Sequence, residues 1–578
     1  MTRHFFFAAT WVAATLLFTL RANGQQVDWI IHNANVITVD ESTPSAEAFA
    51  VSDGKILAVG SNAEMLRLKS EETQVLDANG KTIVPGFIES HAHLTGIGAM
   101  LTNLDLTKAE SWEDIVKLVE GAAQKAKPGE WIIGRGWHQS LWKKKPQPSF
   151  DGYPIHDKLS KVSPNNPVYL THRSGHMCFA NEQAMRQAEV SRGTIAPEGG
   201  EIPRDKQGDP IGVFRETAQG LISRALSKSR AGMSVADLQQ EFDKYVELAQ
   251  RECLKFGVTT FVDAGMSVSD VLGLKRLVDQ DKLDLRIWIM LRTSNAALKR
   301  GMPLVKPIKN YGGGRIHVGG IKQMLDGALG AHGAWLLEPY ADLPESTGLV
   351  VTPVETIRKT AEIAYQNNLQ LCVHAIGDRA NREMLDLFEG FYKKAGDKKL
   401  RWRIEHSQHI DPTDIPRFGK LGVIASMQAI HCTSDGPFVP SRLGEDRSQH
   451  GAYVWRSLLE TGAVIANGSD APVEPIDPIL GYYSTVTRKM KNGKVFFGEQ
   501  KLNRLEALKT YTLDAAFAIF EENTRGSIIP GKQADFVILS QDLTQVAEEK
   551  IKNTRVLKTF VKGELVYEQK ATESSKDK

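Results

Sequence analysis

The chain has 578 residues, of which 42% are apolar and 24% are charged, a composition typical of globular proteins and not of disordered ones. The formal net charge is only +2, so there is no electrostatic reason to expect nucleic acid or an anionic membrane as a partner. This length predicts either several domains or one large barrel with insertions, and the charge balance favours a small, mostly uncharged ligand.

The first residues predict a secretory signal peptide, residues 1–24. A basic start is followed by an apolar run from Phe5 to Leu20, and small residues precede a cleavage point after Gly24. The alternative is an uncleaved anchor, because the run approaches the ~17 residues that a membrane-spanning helix needs. We therefore expect export to the periplasm or the extracellular space, with no membrane contact after cleavage.

Short β-like runs occur near both ends of the chain, and one pair is separated by a turn at Asp53-Gly54. Neither end has enough strands for an independent sheet. The pattern predicts one small β-sandwich assembled from residues 25–82 and 523–570, followed by a disordered tail at 571–578.

Between these segments, short apolar runs alternate with helical patterns, which is typical of parallel β/α units. Eight such units form a (β/α)8 TIM barrel, predicted over residues 83–522, whose active site lies at the carboxyl ends of the strands. The eight predicted strands are 83–93, 258–263, 285–291, 318–325, 369–375, 402–406, 423–427 and 464–470.

The interval after the first barrel strand is too long for one connection. It contains strand-like runs of its own around Ile132 and Val168. We therefore predict an inserted α/β subdomain at about residues 100–250, within an overall α/β fold.

Candidate metal ligands occur at several predicted strand ends. Alternate residues of a strand face the same side, so His91 and His93 can bind one metal ion together if other elements supply further ligands. Alone, such a pair is more often incidental. Four other strand ends each carry one further candidate: Lys322, His374, His406 and Asp470. Convergence of all six at one end of a barrel is improbable by chance and predicts a metal centre.

Lys322 is the unusual candidate, because a protonated ammonium group cannot bind a metal ion. Burial favours the neutral amine, which can take up carbon dioxide as a carbamate and offer oxygens to two metal ions. The alternative is an ordinary lysine that pairs with Asp326 or points outward. His409 and His431 also lie near strand ends and could face a substrate, but they are not in the predicted ligand set.

Longer motifs surround the candidate ligands. They are PGFIESHAH at 85–93, GRGW at 134–137, RSGH at 173–176, KQMLDGALG at 322–330, HAIGD at 374–378, EH at 405–406 and GSDAP at 468–472. With these motifs the chain, from Val27 to Tyr567, resembles the amidohydrolase superfamily. More narrowly it is similar to the amidohydrolase-3 branch, which includes N-substituted formamide deformylases.

The resemblance implies two divalent metal ions bridged by carbamylated Lys322. The other ligands would be His91, His93 and Asp470 for one ion, and His374 and His406 for the second. Nitrogen and oxygen ligands without thiolate are consistent with zinc, although Mn, Co or Fe would also fit. His176, in the insertion, resembles a residue that reaches the substrate carbonyl in this branch; the alternative is an ordinary surface or core histidine.

The resulting hypothesis is a metal-dependent hydrolase that cleaves non-peptide C–N bonds of amide or formamide type in a small molecule. A metal-bridging hydroxide attacks the carbonyl carbon, and Asp470 is the general base that passes a proton to the leaving nitrogen.

Several alternatives stay open. The same cluster suits lactones or esters, and a mononuclear site follows if Lys322 is not carbamylated. From a different class, the chain could be an exported binding or regulatory protein on an inactive barrel, which would be expected to have lost ligands. Because sandwich-flanked barrels of this kind commonly pair, a homodimer is also an open expectation.

Overall fold

The structure, a computed structural model, describes residues 26–139, 142–150, 152–172, 177–197, 200–306, 308–330, 332–396 and 398–570. The expected signal peptide and the tail at 571–578 lie outside the described residues. Within the described part of the chain, no helix is both long enough and apolar enough to span a membrane. The chain forms two compact units: Met1–Ile97 with Val246–Lys578, and Gly98–Tyr245.

Eight parallel strands form the barrel of the larger unit. In chain order, β1 to β8 are Phe87–Ala92, Val258–Met266, Arg286–Leu291, Ile316–Met324, Gln370–Ala375, Arg403–His406, Ile424–Gln428 and Ile465–Gly468. Each strand pairs with the next one in sequence, which is the strand order of a (β/α)8 barrel. Most of their side chains are buried, as expected for strands covered on both faces. The predicted fold class is therefore confirmed.

The first predicted strand, 83–93, is two strands in the structure. Thr82–Pro85 pairs with Phe536–Leu539 in a terminal sheet, and β1 begins after Gly86. A Cβ atom on Gly86 would lie 2.2 Å from Oγ1 of Thr259, so glycine is needed where the chain passes β2 and changes sheet. The sequence does not reveal this change of sheet, because the apolar run continues through it and its residues are buried in both sheets.

Glu89 closes the barrel between β1 and β8. Its Oε1 accepts hydrogen bonds from the N–H groups of His91 and Ser469, each at 2.9 Å, and the N–H of Asp470 donates to the carbonyl of His91 at 2.7 Å. A Cβ atom on Gly468 would lie 2.3 Å from that Oε1, so glycine leaves room for the carboxylate. Burial raises the pKa of Glu89 to about 8. One side chain thus links β1, which contains His91, to the end of β8, which precedes Asp470.

Helices follow the strands and pack against them through apolar residues. Asp378–Ala395, for example, buries Met384, Leu385 and Phe388. The α-helices wholly within this unit are Asn62–Leu66, Val268–Asp279, Asn295–Val305, Tyr311–Gly314, Val354–Asn367, Asp378–Ala395, Ile415–Leu421, Ala429–Asp435, Val439–Leu443, Glu445–Gly451, Trp455–Glu460, Pro478–Thr487, Arg504–Thr510 and Leu513–Ala518. Leu94–Thr102 and Val235–Lys255 lead into and out of the insertion.

Strands from both ends of the chain form two further sheets. The first has the order Lys55–Gly60, Ala48–Ser52, Trp29–His32, Gln74–Asp77. The second has the order Glu564–Glu568, Val556–Val561, Phe536–Leu539, Thr82–Pro85, Asn35–Ile37, Ser45–Ala46. They share a core in which Phe49 packs on Phe536 and Phe536 stacks on Phe560. Neither end could bury these rings alone.

The smaller unit has a six-stranded mixed sheet of its own. Its order is Gly200–Glu201, Val213–Glu216, Met177–Ala180, Val168–His172, Ile132–Trp137, Leu104–Asp105. Its helices are Trp112–Ala123, Asp157–Val162, Glu182–Gln187 and Gln219–Ala231. Trp112, Trp137 and Phe179 pack together in its core. This is the predicted inserted α/β subdomain.

A buried ion pair joins β3 to the carboxyl-terminal segment. Nε of Arg286 donates to Oδ2 of Asp535 at 2.8 Å, and Nη2 donates to Oδ1 at 3.1 Å. Both residues are buried. Such a pair is costly to break, because the remaining partner keeps an uncompensated charge out of water.

We predict that Asp535→Ala lowers the free energy of unfolding by about 3–5 kcal/mol, because it leaves the Arg286 guanidinium buried without its carboxylate. Urea unfolding followed by tryptophan fluorescence measures the change. The matched control is Asp209→Ala, which removes an exposed pair with Arg192 and should cost less than about 1 kcal/mol. Equal losses in the two variants would contradict the prediction.

Candidate metal centre

All six predicted ligands lie at the carboxyl ends of barrel strands. His91 is in β1 and His93 follows it, Lys322 is in β4, His374 is in β5, His406 ends β6, and Asp470 lies two residues after β8. All but His93 are buried, and the side chain of His93 is 32% exposed. The remaining predicted site residue, His176, lies outside the described residues.

His91 is at the centre of the cluster. Its Nδ1–H donates to Oε2 of Glu405 at 2.5 Å, so Nε2 carries the free lone pair. The amine of Lys322 donates to this Nε2 at 3.2 Å, and Oδ1 of Asp470 lies 3.7 Å from it. The same Oδ1 is 3.2 Å from Nε2 of His93. Four of the six candidates therefore meet around one imidazole.

The other two candidates complete the cluster. The ring centroid of His406 is 4.8 Å from that of His91 and 4.3 Å from that of His374. Nδ1–H of His406 donates to Oε1 of Gln428 at 2.7 Å, which leaves Nε2 of His406 with its lone pair. Nε2 of His374 is buried and has no hydrogen-bond partner among the described residues.

Burial keeps three imidazoles of the cluster neutral. It lowers the pKa of His91 to about 4 and that of His374 to about 3, and the pKa of His406 falls well below its usual range for the same reason. Burial also lowers the pKa of Lys322. Burial alone would raise the pKa of Asp470, but the hydrogen bond from His93 and the nearby imidazoles of His91, His406 and His431 together outweigh it and hold that pKa below its usual range. The site thus combines the neutral imidazoles of His91, His374 and His406 with one carboxylate.

A buried ion pair supports the cluster from below. Arg403 donates from Nε to Oε1 of Glu405 at 2.7 Å and from Nη2 to the carbonyl of Ser90 at 2.7 Å. Burial opposes the charge of Glu405, but Arg403 and His91 outweigh it and hold the pKa of this carboxyl well below its usual range. Glu405 therefore stays ionised and fixes both the tautomer and the orientation of His91.

Two candidate ligands have a left-handed backbone. The φ angle of His406 is +79° and that of Asp470 is +58°, a region that non-glycine residues rarely adopt. Such residues persist when the surrounding structure holds them, and they cluster at functional sites. Here the strain occurs where β6 ends and just after β8.

The residues present fit divalent metal ions. Nitrogen and carboxylate donor atoms of His91, His93 and Asp470 lie within 4.8 Å of one another, and so do those of His406, His431 and Asp470. The lone pairs on Nε2 of His91 and Nε2 of His406, beside the carboxylate of Asp470, are ligands that zinc and its neighbours in the first transition row accept. Nε2 of His374, which has no hydrogen-bond partner among the described residues and lies 3.6 Å from Oδ1 of Asp326, is a further possible ligand atom.

Asp326 does not serve as the ion-pair partner proposed for Lys322 in the alternative interpretation. Its carboxylate accepts hydrogen bonds from the N–H groups of Trp335, Ile376 and Gly377 at 2.8–3.0 Å. These bonds hold the segment after β4 against the turn after β5. Asp326 is therefore a structural link next to the cluster.

Sequence reasoning missed the supporting groups. Arg403 and Gln428 had no predicted role, and Glu405 entered only as part of a motif. A signal for Gln428 was available, because it is the polar last residue of β7, one of the three barrel strands without a predicted ligand. No comparable signal exists for Arg403. It contacts Glu405 on its own strand and Ser90 on β1, and the sequence does not show that β1 lies beside it.

The fold and the cluster together define a class, the metal-dependent hydrolases built on a (β/α)8 barrel. The model of the amidohydrolase family matches residues 74–567, and the chain belongs to this family. Its members and structural neighbours support metal-dependent hydrolysis in general.

Two curated relatives and one solved structure place the chain more closely. It is 32% identical to Protein LONG AFTER FAR-RED 3 of Arabidopsis thaliana, over 94% of this chain and 92% of the relative. It is 26% identical to the N-substituted formamide deformylase of Arthrobacter pascens, over 94% and 99%. An uncharacterised metal-dependent hydrolase from Pyrococcus furiosus superimposes with a TM-score of 0.73 at 26% identity, covering 89% of this chain and all of the other.

We predict that Glu405→Gln lowers metal affinity about 10- to 100-fold, the usual effect of losing a carboxylate that orients a ligating histidine. Chelator competition followed by metal analysis measures the affinity. Glu522→Gln is the control, because Glu522 pairs with Arg401 away from the cluster. Unchanged affinity in Glu405→Gln would show that His91 does not depend on this carboxylate.

His409 gives a pH prediction that is independent of metal. Neither of its ring nitrogens has a hydrogen-bond partner among the described residues, and burial lowers its pKa to about 3. Between about pH 6 and pH 4 the unfolded chain takes up a proton here and the folded chain does not, so stability falls as pH falls.

We therefore expect His409→Leu to reduce the slope of unfolding free energy against pH by about 1.4 kcal/mol per pH unit in that window. Urea unfolding of both proteins at several pH values gives the two slopes. Parallel curves would contradict the assignment of a depressed pKa to His409.

Proposed function

We propose that the protein is a metal-dependent hydrolase that cleaves a non-peptide C–N bond of amide or formamide type in a small molecule. The observation that carries this proposal is the convergence of all six candidate ligands in one cluster around His91 and His406, with no candidate missing. The formamide deformylase among the relatives supports the choice of bond. An inactive barrel would not be expected to keep the complete set together with its buried Arg403–Glu405 support.

The donor atoms suggest how two metal ions would be held. His91, His93 and Asp470 would hold one, His374 and His406 would hold the other, and Lys322 would bridge them as a carbamate. Lys322 suits this role because it is only 3% exposed and its lowered pKa favours the neutral amine that adds to carbon dioxide. Metal ions bound there supply an acidified water and polarise the carbonyl oxygen.

Asp470 is the proposed general base. Its side chain is 12% exposed, so it is accessible from solvent and yet held by His93. Because the carboxylate is ionised, it can accept a proton from the attacking water and return that proton to the leaving nitrogen. Asp470 follows the end of β8 with a positive φ angle, and its Oδ1 lies next to Nε2 of His91.

We expect the mature chain, from Gln25 onward, to contain about two metal ions per molecule and Lys322→Ala to contain far less. Metal analysis by mass spectrometry after metal-replete expression measures both. Lys309→Ala, at an exposed lysine, is the matched control and should keep full metal content. One metal ion that is unaffected by Lys322→Ala would favour a mononuclear site, and no metal at all would overturn the hydrolase proposal.

We further expect hydrolysis of N-butylformamide or N-butylacetamide in preference to γ-butyrolactone, and a kcat lower by about 10²- to 10⁴-fold in Asp470→Asn because the variant lacks the base. Amine release and ring opening are assayed on one metal-loaded preparation. Faster turnover of the lactone would favour the ester-hydrolase alternative. Retained activity in Asp470→Asn would remove Asp470 from the mechanism.

A further inference from the structure

His431 lies beside the cluster and is not among its six predicted ligands. It is in the first turns of the helix Ala429–Asp435, directly after β7, and is only 8% exposed. Its ring is nearly parallel to that of His406, with centroids 6.3 Å apart. The donor atoms of His406, His431 and Asp470 lie within 4.8 Å of one another. His431 is therefore close enough to contact whatever binds at Asp470.

The two nitrogens of His431 have different surroundings. Nδ1 accepts a hydrogen bond from the side-chain amide of Gln408 at 3.2 Å. A neutral imidazole that accepts at Nδ1 carries its proton on Nε2. That Nε2 is buried and has no hydrogen-bond partner among the described residues. An N–H group in this condition is unfavourable unless a ligand supplies the acceptor.

The same short segment also orients the neighbouring ligand. Gln428 ends β7 and accepts from Nδ1–H of His406 at 2.7 Å, and His431 follows three residues later, one helical turn on. The end of β7 therefore supplies one group that fixes a proposed metal ligand and one N–H group with no acceptor in the part of the chain that the structure describes. Gln428 thus orients a proposed metal ligand, whereas His431 is free to contact the substrate and not the metal.

We propose that His431 is a catalytic hydrogen-bond donor whose Nε2–H binds the oxygen of the scissile carbonyl and stabilises the negative charge that develops on it. This role rests on the proposed hydrolytic function, because it assigns a contact to the carbonyl substrate of that same site. Gln408 is a positioning residue, since it acts only through the tautomer of His431. No proton is transferred in this contact.

A pair of variants tests the donor directly. In His431→Gln the side-chain amide can still present an N–H group at a similar distance from the backbone, whereas in His431→Asn it is one carbon shorter. We expect kcat to fall about 10²- to 10³-fold in His431→Asn, the usual effect of losing one such donor, and to recover by at least tenfold in His431→Gln. KM should change less than kcat, because the contact strengthens as charge develops.

Two measurements do not depend on turnover. Metal content should stay the same in both variants, because a nitrogen that carries a proton offers no lone pair to a metal ion. Acetohydroxamate, a metal-binding probe with a carbonyl oxygen, should bind the metal-loaded His431→Asn protein about tenfold more weakly than the wild type. His450→Ala, at an exposed histidine, is the control and should match the wild type in metal content and probe affinity.

Each outcome is decisive. Loss of metal in both His431 variants would show that His431 is a ligand and would overturn the donor role. Unchanged kcat and probe affinity in His431→Asn would overturn it as well. If the wild type holds metal but hydrolyses none of the amides, the proposed function fails, while weaker acetohydroxamate binding in His431→Asn would still support the donor.

Discussion

The buried contact between Glu405 and His91 is the interaction on which the site depends. His91 touches Lys322, lies next to Asp470 and packs beside His406, so its orientation sets the geometry of the whole cluster. Glu405 accepts this hydrogen bond as an ionised carboxylate, and it stays ionised because Arg403 and His91 together outweigh the effect of its burial. Burying the carboxylate of Glu405 alone would be unfavourable, and Arg403 on the same strand stabilises it.

The charged and the neutral groups of the site lie at different depths in the barrel. Beneath the cluster lies the ion pair of Arg403 and Glu405. Within the cluster the imidazoles of His91 and His374 are neutral. Asp470 is ionised and partly accessible to solvent. Neutral lone pairs and a single carboxylate attract a cation strongly without a strong mutual repulsion when it is absent. The barrel provides this arrangement because parallel strands bring their carboxyl ends to one rim.

Much of the fold was predictable from the sequence, because strands buried on both faces are continuous apolar runs and parallel pairing leaves helical patterns between them. The position of the candidate ligands followed, since each lies at the end of such a run. The break at Gly86 was not predictable, because the apolar run continues through a change of sheet. Contacts between distant strands, such as Arg403 with Ser90 or Glu89 with Ser469, have no local pattern at all.

The left-handed backbone of His406 and Asp470 has an evolutionary consequence. Each such residue costs about 1–3 kcal/mol, which glycine would not incur. A lineage that no longer needed hydrolysis would be relieved of this backbone strain by accepting glycine at either position. These two positions are thus sensitive markers for telling descendants that still catalyse from those that have taken up another role on the same barrel.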